Sequence, residues 1–246
     1  MSRAIALTLC LAAAAALGAG LVFLAQRGAF GATVAGIAPP APLTARAIPA
    51  DRPARVMFLG TSLTHGDPWP QAAAEALARC RPGGVVAQVV ARPGASSAWG
   101  VEALGAALDA APGSPPDVVV VEFSANDASL AWGASLERSR AVHRRIVAMV
   151  RSVGAMPVLA TMSPALGRNG WERPGLRAYE ALYRTVAAET GAGLIDIAPL
   201  WRAMTPAALA RWMPDGLHPT PDATLAVTAP AMAAALAPAV CVDDTA

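Results

Sequence analysis

From Arg55 onward the chain alternates short, largely apolar, β-rich runs with longer stretches in which apolar residues recur every three or four positions. The short runs are Val56–Leu59, Val85–Val90, Val118–Phe123, Pro157–Thr161 and Gly193–Ile197. Runs of this length, rich in β-branched residues, read as strands, and one without polar alternation reads as a strand covered on both faces. Between them, Pro70–Arg79, Gly100–Ala111 and Leu136–Val153 read as helices. In the last of these, Val142, Ile146, Met149, Val150 and Val153 fall on one stripe, as a helix packed on a core requires. Leu176, Tyr179, Leu182, Tyr183 and Val186 make a second stripe, and Gly154 and Gly191 close the two helices. A final helix begins near Pro221, with Pro230 expected to kink or shorten it. This alternation predicts one α/β domain of flavodoxin-like, three-layer build, a parallel sheet of about five strands flanked by helices. Functional groups in such sheets collect beyond the carboxyl ends of the strands. That rule selects Gly60–Gly66, Ala91–Trp99, Ser124–Asp127, Met162–Pro174 and the stretch before Pro221.

The N-terminus has a different pattern. Met1-Ser2-Arg3 is a short positive leader, Ala4–Ala25 is uncharged and apolar all round, and Gln26-Arg27 closes the stretch. A secretory core segment takes about 7–15 residues and a bilayer span about 20, and this stretch sits at the longer limit. Ala29-Phe30-Gly31 is a possible cleavage site. Residues 1–31 are therefore expected to be a signal peptide or, slightly favoured, an uncleaved membrane anchor. Either exports the rest, to the periplasm or outside the cell. Residues 32–54 carry Pro39, Pro40, Pro42, Pro49 and Pro53 and read as an extended linker. The folded domain is then 55–241.

Composition narrows the function. At 55% hydrophobic and 15% charged residues the chain is globular, and a net charge of +2 without a basic run gives no footprint for nucleic acid. Of the three cysteines, Cys10 lies in the export segment, which leaves Cys80 and Cys241 as the pair in the exported domain. In a sheet of this winding both lie at the end remote from the strand carboxyl ends, and oxidation there would close a long loop.

The chemistry gathers on strand ends. Gly60-Thr61-Ser62-Leu63-Thr64-His65-Gly66 follows the first strand, with Ser62 near a helix start where free N–H groups can face an oxyanion. A serine needs a base, and the base needs an acceptor on its other ring nitrogen. Asp215-Gly216-Leu217-His218 offers both from one loop. The other two histidines are His65, read as a substrate contact, and His143, which falls among arginines and reads as a solvated surface residue. Asn126, after the third strand, can aim its amide at the same oxyanion.

This set resembles the SGNH, or GDSL-type, hydrolase family. Gly60-Thr61-Ser62-Leu63-Thr64-His65-Gly66 is similar to the family's first block, with Thr61 in place of the usual Asp. Gly94 is the best match to the second-block glycine, Ser124-Ala125-Asn126-Asp127 matches the third block with Ser124 for Gly, and Asp215-Gly216-Leu217-His218 matches the fifth. The order and spacing agree over Val56–Pro238. The resemblance implies a serine esterase with Ser62 as nucleophile, His218 as base and Asp215 as orienting acid. Its oxyanion hole would be the Ser62 and Gly94 N–H groups with the Asn126 amide, and no metal or cofactor is implied.

For substrate, the six tryptophans are informative beside only two tyrosines and four phenylalanines. Trp69 and Trp171, in the strand-end loops, are expected beside His65 as substrate contacts, since exposed indole faces suit sugar rings. The expected reaction is hydrolysis of an O-acyl, foremost O-acetyl, ester on a carbohydrate. A short-chain esterase or lysophospholipase, a thioesterase, a glycan O-acetyltransferase and a silent glycan-binding protein remain alternatives on the same fold.

Overall fold

The computed structural model describes residues 3–31, 43 and 48–241. Five strands, β1 (Ala54–Gly60), β2 (Val85–Ala91), β3 (Val118–Val121), β4 (Met156–Thr161) and β5 (Gly193–Asp196), form one sheet in the order β2-β1-β3-β4-β5. Every neighbouring pair is parallel. Alternate residues of each strand face opposite layers, and both layers are apolar. Val56, Phe58, Val118, Val120 and Val158 pack with Leu77 of α2 (Trp69–Ala78) and with Met232 and Leu236 of α11 (Ala229–Val240). Met57, Leu59, Val119, Val121 and Leu159 pack with Leu104 of α3 (Ser97–Asp109), Ile146 and Val150 of α5 (Leu136–Ser152), and Tyr183 and Val186 of α7 (Leu176–Thr190). The four valines of β3 are apolar without interruption because helices cover both faces. At the edge, β2 leaves Val86 and Val89 exposed.

Four details depart from the sequence expectation. The third strand stops at Val121 because the Phe123 N–H takes the Tyr183 hydroxyl of α7 as acceptor, at 2.7 Å, and leaves the ladder. The buried stripe of α5 is Ser139, His143, Ile146, Val147 and Val150, so His143 is fully buried and the surface reading is wrong. Val142 and Met149 lie only at the margin of that stripe. Pro230 does not break the last helix. The chain winds continuously through α10 (Pro221–Ala223), one wide π turn at Thr224–Thr228 and α11, so Pro230 falls in a first turn, where a missing N–H costs little. Finally, the linker lies outside the described residues at 32–42 and 44–47, but its last residues pack on the domain. Ile48 is in the core, Ala54 opens β1, and the buried Arg81 guanidinium takes the carbonyls of Ile48, Pro49 and Arg52. Proline prevents regular structure there, yet leaves carbonyls free to be bound.

At the same end of the molecule, Cys80 after α2 and Cys241 after α11 form a disulfide, with Cα atoms 5.2 Å apart and 161 residues between them in sequence. The Pro221–Val240 stretch is long and apolar enough to cross a membrane, but Met232, Leu236 and Val240 are fully buried core residues. The N-terminal helix α1 (Arg3–Gln26) differs. Its residues 12–23 are exposed, and contact with the domain begins at Leu24 and becomes burial at Arg27 and Gly28.

Candidate active site

In the order β2-β1-β3, chain connections leave β1 and β3 on opposite layers, and loops at such a switch open a crevice at the carboxyl ends. The segment after β1 carries Ser62 into this crevice. Its sharp start requires Gly60, since a Cβ there would lie 2.2 Å from the Glu122 carboxylate. That carboxylate, buried beneath the loop, accepts the Thr61 N–H at 2.6 Å and the hydroxyls of Thr61 and Thr64 at 3.0 and 2.7 Å. Burial pushes the Glu122 carboxyl up to about 7, against the pull of those donors. Thr61, standing where the family motif has Asp, is thus a ligand of Glu122.

The fifth-block loop brings the base to the serine. Ser62 Oγ and His218 Nε2 are 2.8 Å apart, and His218 Nδ1 lies 2.6 Å from Asp215 Oδ2. The other oxygen, Asp215 Oδ1, accepts the Leu217 and His218 N–H groups, each at 2.8 Å. Desolvation pushes the Asp215 carboxyl up, but the His218 ring and the two N–H donors outweigh it, and the net shift is downward. The pair is open to solvent, with side-chain exposures of 44% for His218 and 50% for Asp215. An ionised carboxylate fixing Nδ1–H leaves Nε2 as acceptor toward the hydroxyl, the tautomer proton abstraction needs.

The residues expected to bind the oxyanion also converge. Asn126, buried in the short helix α4 (Ser124–Asp127), donates one amide hydrogen to the Ala95 carbonyl at 2.9 Å. An amide has two such hydrogens, which leaves one for another acceptor. Ala95 adjoins Gly94, whose φ of 73° suits glycine, so the loops after β2 and β3 are joined at this point. Among the described residues, the Ser62 and Gly94 N–H groups donate to no backbone carbonyl.

The three expected substrate contacts separate. His65 is exposed, with Nδ1 2.9 Å from the Ala91 carbonyl. Trp171, at the end of α6 (Gly167–Trp171), is 80% exposed. Trp69 is no substrate contact: it is fully buried, stacked edge-on to Phe58 with centroids 5.0 Å apart, and donates its indole N–H to the Leu63 carbonyl at 2.8 Å. It props the Ser62 loop from below.

A search of curated proteins finds no relative. The model of the GDSL-like lipase/acylhydrolase family matches residues 58–224. The chain belongs to this family. It is an ester hydrolase of the SGNH fold. A protein from Slackia heliotrinireducens assigned to the SGNH hydrolases is 28% identical, with a TM-score of 0.57 over 76% of this chain and 98% of that one. TesA is 22% identical, with a TM-score of 0.60 over 75% and 98% of the two chains. An acetylxylan esterase from Geobacillus stearothermophilus is 20% identical, with a TM-score of 0.59 over 75% and 94%. The last two likenesses are of fold alone.

Three residues that support the SGNH site were missed in the sequence. Glu122 was a visible signal, a lone charge in an apolar strand run. Arg173, buried, donates to the Ala125 carbonyl at 2.8 Å and to Asn169 Oδ1 at 3.0 Å. Asn169 in turn donates to the Asp215 carbonyl at 2.9 Å. The strap Ala125–Arg173–Asn169–Asp215 ties the Asn126 segment to the His218 loop, and nothing local in the sequence marks it.

Proposed function

We propose that this hydrolase is an exported esterase that removes O-acetyl groups from carbohydrate. Ser62 Oγ attacks the ester carbonyl as His218 Nε2 takes its proton, and Asp215 holds the imidazolium that results. The Ser62 and Gly94 N–H groups and the second Asn126 amide hydrogen receive the developing oxyanion. His218 then protonates the departing sugar oxygen. Water, deprotonated by the same ring, attacks the acetyl-serine and releases acetate. The observation that carries the reading is the open triad. With His218 and Asp215 about half exposed, a bulky alcohol can stand outside while only its small acyl group enters. Exposed Trp171 beside the Asp215 loop adds a face for a sugar ring, and a structural neighbour acts on acetylxylan.

Export rests on α1, whose apolar residues 12–23 are exposed. We read it as an uncleaved anchor, because Arg27, just before the possible cleavage site, is bound into the fold. Its guanidinium donates to the Ser129 carbonyl at 2.6 Å and to the Leu130 carbonyl at 3.4 Å.

The test compares acetate release from acetylated oligosaccharides with cleavage of p-nitrophenyl esters of increasing chain length. The proposal expects kcat/KM to fall as the acyl chain grows and to be highest with a sugar alcohol. A rate that rises with acyl length, or acetyl transfer to glycan without acetate release, would overturn it.

A further inference from the structure

Among the described residues, the apolar helix α1 meets the domain at its C-terminal end, where Arg27 and Gly28 are buried. Beyond the Asp127, Ser129 and Leu130 carbonyls that accept from the Arg27 guanidinium, Gly28 fits so closely against α7 and α5 that a Cβ would lie 2.6 Å from Ala178 Cβ and 3.0 Å from Leu136 Cδ1. The Gly175 backbone abuts the Arg27 carbonyl in the same way. These contacts are the α4–α5 segment and the first turns of α5 and α7. In a parallel sheet, a helix that follows a strand starts at that strand's carboxyl end. The α1 junction therefore lies at the end of the sheet that holds Ser62, Asn126 and His218.

The surface around the junction combines exposed aromatic rings with charged residues, among them Arg177, Arg184 and Arg202 of the cleft beside Gly28. Phe30 follows directly, and Trp132, 54% exposed, is two residues beyond the Leu130 carbonyl that takes Arg27. The Arg173 guanidinium lies 5.9 Å from the Trp132 ring, and the Leu130 N–H donates to the Glu172 carbonyl at 2.9 Å. These bonds set Trp132 on the same rim as α6 and the strap to Asp215. Arg177 lines the cleft beside Gly28 and Gly31. Indole faces with an arginine nearby, placed at the end of an apolar span, match the interface between hydrocarbon and headgroups.

We infer that the carboxyl end of the sheet, with the active-site rim at Phe30 and Trp132, faces the surface of the membrane in which α1 is anchored. The inference rests on α1 being the uncleaved anchor. An α1 of 24 residues is about 36 Å long, enough to cross a hydrocarbon layer of about 30 Å. Because residues 12–23 are exposed while burial against the domain begins at Arg27, the bilayer must begin next to the junction. The domain is held close to that surface with its catalytic end inward, and the ester that reaches Ser62 is one displayed on or tethered to the membrane.

The experiment uses the full chain in lipid nanodiscs and isolates the Trp132 fluorescence as the difference between wild type and Trp132→Phe. Flotation with vesicles is measured first, to test the anchor by itself. The Trp132 component should be quenched by phospholipids brominated near the headgroup and protected from iodide in the water. A chain that fails to float overturns the anchor, and the orientation with it. A chain that floats while its Trp132 component is quenched by iodide and not by brominated lipid keeps the anchor and overturns the orientation.

Discussion

His218 and His143 each stand beside an aspartate, at 2.6 Å from Asp215 in one case and 4.0 Å from Asp127 in the other. The first pair lies on a loop and is about half exposed; the second is sealed between α4, α5 and α7. Asp127 accepts the Ser97 N–H and hydroxyl at 2.9 and 2.7 Å and the Ser139 hydroxyl at 2.6 Å. His143 is 2.8 Å from the Ser139 carbonyl through Nδ1 and 2.8 Å from the Tyr183 hydroxyl through Nε2. Tyr183 already accepts the Phe123 N–H, so it donates to Nε2, and His143 is neutral with both nitrogens occupied. Burial lowers its proton affinity, against Asp127 and the Ser139 carbonyl. The same two residue types thus give, in one place, an open pair whose free ring nitrogen meets the Ser62 hydroxyl, the arrangement the proposed mechanism uses, and in the other a structural clamp where every polar atom is taken. The clamp still serves the site, because Asp127 follows Asn126 and caps α3 just beyond Gly94.

The largest contrast should come from removing the rings. His218→Ala and Ser62→Ala should each reduce kcat by a similar factor of roughly 10⁴–10⁶ while leaving the unfolding midpoint nearly unchanged. His143→Ala should do the reverse, costing about 2–4 kcal/mol of stability with modest loss of kcat in the folded protein. Steady-state kinetics and denaturant unfolding on the same preparations separate the two.

The aspartates should divide in the same way. Asp215→Asn should lower kcat by about 10⁴ through the wrong imidazole tautomer. Asp127→Ala strands three buried donors and should cost several kcal/mol, about 1–3 for each. Between these lies Asn126→Ala, expected to lower kcat by about 100- to 1,000-fold for the loss of one oxyanion donor. An Asn126→Ala loss confined to stability would assign that residue to the clamp instead.

The smallest effect is on pH. Neutral burial of His143 contributes stability that is present above the ordinary imidazole value of 6.5 and is lost as pH falls below it. Glu122 acts in the opposite sense. Its folded carboxyl holds a proton up to about 7 where the ordinary value is 4.5. Stability therefore falls as pH rises between those values, by about 3 kcal/mol at 1.36 kcal/mol per unit. Glu122→Gln should flatten the profile in that window without touching the acid limb due to His143, as unfolding midpoints across pH 4–8 would record.

The sheet and the meeting of Ser62, His218 and Asp215 were legible because each depends on local pattern. A four-valine run can only be a strand covered on both sides, and Asp215 and His218 share one short loop. What was misread depends on distant partners. His143 stands among arginines, yet one turn of α5 carries it under α7 to Tyr183, forty positions away. Trp69 and Trp171 both lie in segments that follow strand carboxyl ends, and the packing of Phe58 tells the buried one from the exposed one. Glu122 finds its donors at Thr61 and Thr64, on a neighbouring strand end. Pro230 is tolerated because a wide turn precedes it, a feature without a short sequence signature.

The proposed mechanism makes Ser62 the nucleophile, activated by His218 and by no other histidine. Labelling the intact chain with a fluorophosphonate and mapping the adduct by mass spectrometry tests it most directly. One adduct is expected, on Ser62, that is lost in His218→Ala and retained in His65→Ala and in folded His143→Ala. An adduct on another residue, or one on Ser62 that survives His218→Ala and disappears with His65→Ala, would contradict it.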